Sequence, residues 1–125
     1  TLDEIADGIR REAAHPFPGL LAAEQKSSGQ FIGYCGLIPN RHGQNGEPEL
    51  AFEFLRKVWG QGLATEAAWA VLQLAEASGY SRIWATVRDW NAPSRRVLAK
   101  LGFSETGRVD LDEVHGDSLF TLKTL

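Results

Sequence analysis

The chain has 125 residues, of which 43% are hydrophobic and 23% charged, with a formal net charge of −3. These values describe an ordinary globular chain able to bury a real core, and they predict one domain over residues 1–125. The acidic balance argues against a nucleic-acid binder that works through bulk electrostatics, and no apolar run approaches the roughly 20 residues that span a bilayer.

The elements follow in chain order. Thr1-x-x-Glu4 has the form of a capping box, and Leu2, Ile5, Ile9 and Ala13 recur at helical spacing. His15-Pro16-Phe17-Pro18-Gly19 breaks that helix. Leu20 to Lys26 and Gln30 to Ile38 read as two strands around a turn at Ser27-Ser28-Gly29. Pro39 to Pro48 is a polar loop, and Glu49 to Leu55 is a third strand. Gly62 to Ser78 is the clearest helix, with Leu63, Ala67, Ala70, Val71, Leu74 and Ala77 as its apolar stripe. Arg82 to Arg88 alternates as a strand, with Ile83, Ala85 and Val87 on one side. Asn91 is placed to cap a shorter helix that carries Pro93 in its first turn, turns Val97, Leu98 and Leu101 inward, and ends at Gly102. Strands at Phe103 to Val114 and Ser118 to Leu125 complete the chain. The order predicts an α/β or α+β domain with a mixed sheet flanked by helices.

The single cysteine, Cys35, has no internal partner, so a reducing cytoplasm fits, and its flanks read as buried strand and hence as a structural thiol. His15, His42 and His115 fall in loops without metal-ligand spacing, and no metal is expected. Methionine is absent, the initiator included, so the sequence reads as processed, truncated or part of something longer.

The informative turn is Trp59-Gly60-Gln61-Gly62-Leu63-Ala64-Thr65, between a strand and a strong helix. Small residues let the backbone approach a ligand, and the helix start presents free N–H groups, which suits a pyrophosphate. A tight strand-to-helix connection is the plainer reading. A dinucleotide-binding unit fits poorly, because the full Gly-x-Gly-x-x-Gly pattern is missing.

The run Glu49-Leu-Ala-Phe-Glu-Phe-Leu-Arg-Lys-Val-Trp-Gly-Gln-Gly-Leu-Ala-Thr-Glu-Ala67 resembles the acetyl-CoA-binding motif of the GNAT family of N-acetyltransferases, more narrowly its ribosomal-protein branch. Asn91-Ala-Pro-Ser94-Arg-Arg-Val-Leu98-Ala-Lys-Leu-Gly-Phe103 resembles the family's second motif at the expected distance. Two weak motifs in the right order reinforce each other. The resemblance implies the GNAT fold, with a mostly antiparallel sheet and without the family's usual first strand and helix. It also implies acetyl-CoA as co-substrate and an amine as acceptor, with a homodimer left open. By position, the backbone of Gln61, Gly62, Leu63, Ala64 and Thr65 would hold the pyrophosphate. Phe54 and Leu55 would bond the pantetheine amides at a splayed strand end, and Asn91 would contact the arm besides capping its helix.

Transfer needs a base to free the amine and a proton for the departing thiolate. Glu49 is the first choice of base, with a solvated strand carboxylate as the plain alternative and Glu53 as runner-up; Glu66 reads as a surface residue. Many relatives carry a tyrosine as acid where this chain has Leu98. The ribosomal-protein branch points instead to Ser94, which reads equally as a first-turn helix residue. Trp69, Trp84 and Trp90 read as packing or rim residues, Arg95 and Arg96 as a solvated face or a phosphate contact, and Asp110, Asp112 and Glu113 as a charged hairpin. The rival from another class is a non-catalytic CoA-binding module, favoured by Leu98 and opposed by Glu49 and Ser94.

Overall fold

The computed structural model describes residues 19–25, 27–39 and 47–125, and among these residues the chain forms one six-stranded sheet, two α-helices and a short 3-10 turn at Arg56–Val58. The helix expected at Thr1 and most of the loop before Pro48 lie outside the described residues. Leu20–Glu24 (β1), Phe31–Ile38 (β2) and Glu49–Phe54 (β3) form an antiparallel meander. The chain entering β1 approaches β2 so closely that a Cβ on Gly36 would collide with the Gly19 carbonyl oxygen, so glycine is required there.

Leu63–Ala77 (α1) packs on β2 and β3. Its buried face comprises Ala67, Ala68, Ala70, Val71, Leu72 and Ala75, broader than the expected stripe, while Ala77 is exposed. The helix is apolar around most of its girth, so periodicity alone left the inward side ambiguous. Arg82–Arg88 (β4) has the expected boundaries and buries Ile83, Ala85 and Val87. Ala92–Lys100 (α2) is started by Asn91, whose Oδ1 accepts the Ser94 N–H at 3.2 Å, and it buries Leu98. Such a cap contributes about 1 kcal/mol.

Ser104–Asp110 (β5) and Ser118–Thr124 (β6) complete the sheet, whose order is β1-β2-β3-β4-β6-β5. β5 stops earlier than the alternation suggested. Asp112 Oδ1 accepts the N–H groups of Val114 (2.9 Å) and His115 (3.0 Å), folding the backbone into a turn instead of a ladder. Those donors, with the His115 ring, hold the Asp112 carboxyl down at about 2. The acidic run therefore builds a hairpin tip.

Ile32, Leu37, Leu72, Ile83 and Leu101 are the largest fully buried side chains. Cys35 lies in the same core, and desolvation pushes its thiol up to about 12, as a packing residue requires. No helix among the described residues is long and apolar enough to cross a membrane.

Candidate active site

Every neighbouring pair in the sheet is antiparallel except β3 and β4, which run parallel and register at a single rung, Glu49 with Trp84. The Trp84 N–H donates to the Pro48 carbonyl at 3.0 Å. In a continued parallel ladder the Thr86 N–H would next meet the Leu50 carbonyl. It donates instead to Glu49 Oε1 at 3.2 Å, and the Thr86 hydroxyl donates to the same oxygen at 2.6 Å. The Glu49 carboxylate thus takes the place of the next rung, and beyond it the strands diverge. β3 is held on its other edge by β2 and β4 by β6, so the gap lies between two firmly paired halves.

The gap is a cleft of about 270 Å³ lined by both strands and by α2. Strand alternation divides its walls between the two faces of the sheet. Leu50, Phe52, Ala85 and Val87 belong to the helix face, where Asn91, Ser94 and Leu98 complete the wall; Glu49, Ala51, Thr86 and Arg88 belong to the opposite face. The cleft therefore joins the two faces. Glu49 is 9% exposed at its narrow end. Arg88, also in the wall, is fixed by Nη1 donation to the Gly116 carbonyl at 2.8 Å and by Asp112 at 3.5 Å.

Phe54 ends β3, about 17 Å from Glu49 at the usual strand rise, and the chain passes from it to the Trp59–Gly62 turn before α1. The Leu55 N–H donates to the Ile32 carbonyl of β2, so Leu55 faces away from the gap, and by alternation the backbone groups of Phe52 and Phe54 face into it. The Phe54 carbonyl accepts the Trp59 indole N–H at 2.8 Å. This contact explains the tryptophan, which ties the turn to the strand end; the Arg56 guanidinium lies 5.4 Å from its ring centroid.

Gly62 is the N-cap of α1 at φ 75°, with no side-chain cap. The first intrahelical bond comes from the Glu66 N–H to the Gly62 carbonyl, so the N–H groups of Leu63, Ala64 and Thr65 precede the ladder. Gln61 Nε2 reaches the Lys57 carbonyl at 3.4 Å. The turn is an uncapped helix start that follows Arg56 and Lys57 in the chain, a setting that attracts an anion. The backbone groups of β3 facing an open gap need hydrogen-bonding partners. Both features fit an extended ligand with amides and a pyrophosphate.

Of the residues singled out from the sequence, Glu49, Asn91 and Ser94 share the cleft; Phe54, Leu55 and Gln61 to Thr65 are not in its lining, and Gln61 to Thr65 span the start of α1. Glu53 is exposed and accepts a hydrogen bond from the Tyr34 hydroxyl. Arg95 is engaged by the Asp89 carbonyl (3.0 Å) and Glu105 (3.0 Å). The Trp84 indole donates to Glu47, and the Trp90 indole, on an exposed ring, donates to the His115 carbonyl. Sequence reasoning passed over Phe52 and Thr86. Nothing local marks Thr86, whose role depends on a partner 37 residues away. Among the described residues no group of three or more His, Cys, Asp or Glu is placed to hold a metal ion.

A family model described as an acetyltransferase (GNAT) domain matches residues 1–104. The chain is 35% identical over 92 residues to the uncharacterized protein YkkB of Bacillus subtilis, covering 71% of this chain and 54% of that protein. The chain spans about half the length of the curated relatives it matches. Among solved structures, Mycobacterium smegmatis RimJ in complex with CoA-disulfide is similar at 31% identity and TM-score 0.69, over 94% of this chain and 58% of that one. An acetyltransferase of GNAT family from Streptococcus pneumoniae is similar at TM-score 0.76 over 93% of this chain and 71% of that one; at 20% identity the likeness is one of fold. The mixed, mostly antiparallel sheet flanked by helices is the fold those proteins share.

Proposed function

Because the chain belongs to the acetyltransferase (GNAT) domain family, we propose that it transfers an acetyl group from acetyl-CoA to a primary amine, a protein N-terminus or a small molecule, in the manner of the ribosomal-protein branch. One observation carries the reading: a cleft passes through the sheet with a carboxylate on one face and a helix-borne hydroxyl on the other. The donor lies on the helix side, its pyrophosphate on the N–H groups of residues 61–65 and its pantetheine amides along the β4-facing edge of Phe52 and Phe54. Leu55, whose N–H is taken by β2, contributes through its side chain. The amine enters from the opposite face, beside Glu49.

Glu49 removes one proton from the ammonium, and the freed lone pair attacks the thioester carbonyl. The C–N bond forms, the tetrahedral centre collapses, and the C–S bond breaks. The second amine proton reaches the leaving sulfur through the Ser94 hydroxyl, and Glu49 returns its proton to water. Both Thr86 bonds fall on Glu49 Oε1, which leaves Oε2 to take the proton. Ser94 acts as acid because Leu98, buried in the cleft wall, has no proton to give. A single domain in a reducing cytoplasm completes the proposal, supported by the unpaired, buried Cys35.

The test is a calorimetric titration with acetyl-CoA, with NAD as control, followed by thiol release across a panel of amines. Micromolar binding of acetyl-CoA alone, with thiol release, is expected. Binding without turnover on any amine would leave a CoA-binding module, and no binding would defeat the proposal for this chain. Ser94→Ala is expected to slow turnover by about a hundredfold, the lower end of the range for a proton donor, with acetyl-CoA affinity retained. An unaffected rate would return Ser94 to a purely helical role.

A further inference from the structure

Thr86 stands apart from every residue assigned so far. It is an exposed threonine in the middle of β4, where a solvent-facing side chain would ordinarily carry little consequence. Yet its backbone N–H and its hydroxyl converge on one oxygen of Glu49, at 3.2 and 2.6 Å. A glutamate side chain has three rotatable bonds, and one hydrogen bond would leave its carboxylate free to swing. Two donors from a single rigid strand residue fix which oxygen is engaged and the plane in which the carboxylate lies. β4 itself is held by β6 along its length, so Thr86 is a stable reference point. Among the described residues, β2 places Ile38 opposite Glu49 in register, and Ile38 and Arg88 share the cleft wall with it.

We infer that Thr86 is a positioning residue, orienting Glu49 so that Oε2 faces the amine; the inference rests on the reading of Glu49 as base. A threonine suits this position because it combines strand preference with a hydroxyl donor, whereas valine keeps the shape and the N–H and loses only the 2.6 Å bond.

The experiment is a kinetic double-mutant cycle on the whole chain, comparing Thr86→Val, Thr86→Ser, Glu49→Gln and the Thr86→Val/Glu49→Gln pair. Thiol release from acetyl-CoA is followed with a short peptide bearing a free N-terminal alanine as the probe amine, and each variant's melting temperature is recorded. Thr86→Val should lower kcat about tenfold, the effect of one hydrogen bond to a charged group, while the KM for acetyl-CoA holds. Thr86→Ser should recover most of the loss, and Thr86→Val should add nothing once Glu49 is glutamine. Glu49→Gln slowing turnover while Thr86→Val does not, or the two losses multiplying in the pair, would overturn the role of Thr86 and leave Glu49 in place. Undiminished turnover in Glu49→Gln would remove the base and the inference together. Loss of melting temperature with full kcat per folded molecule would reduce Thr86 to a packing residue.

Discussion

Glu49→Gln should slow turnover by about a hundredfold to ten-thousandfold, the usual contribution of a positioned base, while leaving acetyl-CoA affinity unchanged. The substitution is informative because of what it keeps. Glu49 bridges β3 and β4 through Oε1, and a glutamine oxygen can accept the same two bonds from Thr86. The cleft is thereby preserved, and only the capacity to take a proton is lost. Glu49→Ala is a different experiment, because it leaves the Thr86 N–H without its acceptor and frees the strands to pair further. Steady-state kinetics beside a calorimetric titration check the expectation. Unaltered turnover in Glu49→Gln would take Glu49 out of the mechanism and leave it a strut at the apex of the gap.

That double duty of Glu49 explains why the candidate site was partly legible in the sequence. Locally determined features were readable. Ile83, Ala85 and Val87 marked β4 with its boundaries, and Asn91 marked a cap that is realised within three residues. The Gly62 turn was visible for the same reason, since it is a property of consecutive residues. Features created by pairing were not. That β3 and β4 are parallel follows from the crossover through α1, and that they meet at one rung follows from the Glu49–Thr86 contact; no residue in either strand announces the pairing. Thr86 gained its importance from that pairing. The extent of β5 was misjudged because every residue in it is exposed, so no burial alternation existed to mark its end, and the Asp112 turn competed for the backbone. Leu55 was placed at the cofactor edge by resemblance, but edge direction alternates residue by residue, and Phe52 shares the gap-facing edge with Phe54.

Gly62→Val should weaken acetyl-CoA binding by at least about tenfold, or roughly 1.4 kcal/mol. The cause lies in the backbone. Apart from its chain neighbours, no atom of the described residues lies within 4 Å of where a Gly62 Cβ would stand, but φ is 75° and a β-branched residue resists that conformation. Relief of the strain, about 1–2 kcal/mol, would rotate the peptide units that aim the N–H groups of Leu63, Ala64 and Thr65 out of the helix start. A modest loss of melting temperature should accompany the change, because Gly62 is also the N-cap of α1. S-acetylpantetheine separates the two effects, since it has the thioester and the amides but no pyrophosphate. Its binding should be the same in the parent chain and in folded Gly62→Val, while acetyl-CoA discriminates between them. An equal loss for both ligands would mean that the turn shapes the cleft mouth as a whole. Undiminished acetyl-CoA affinity would place the anion site away from this helix start, and with it the direction in which the donor threads the cleft.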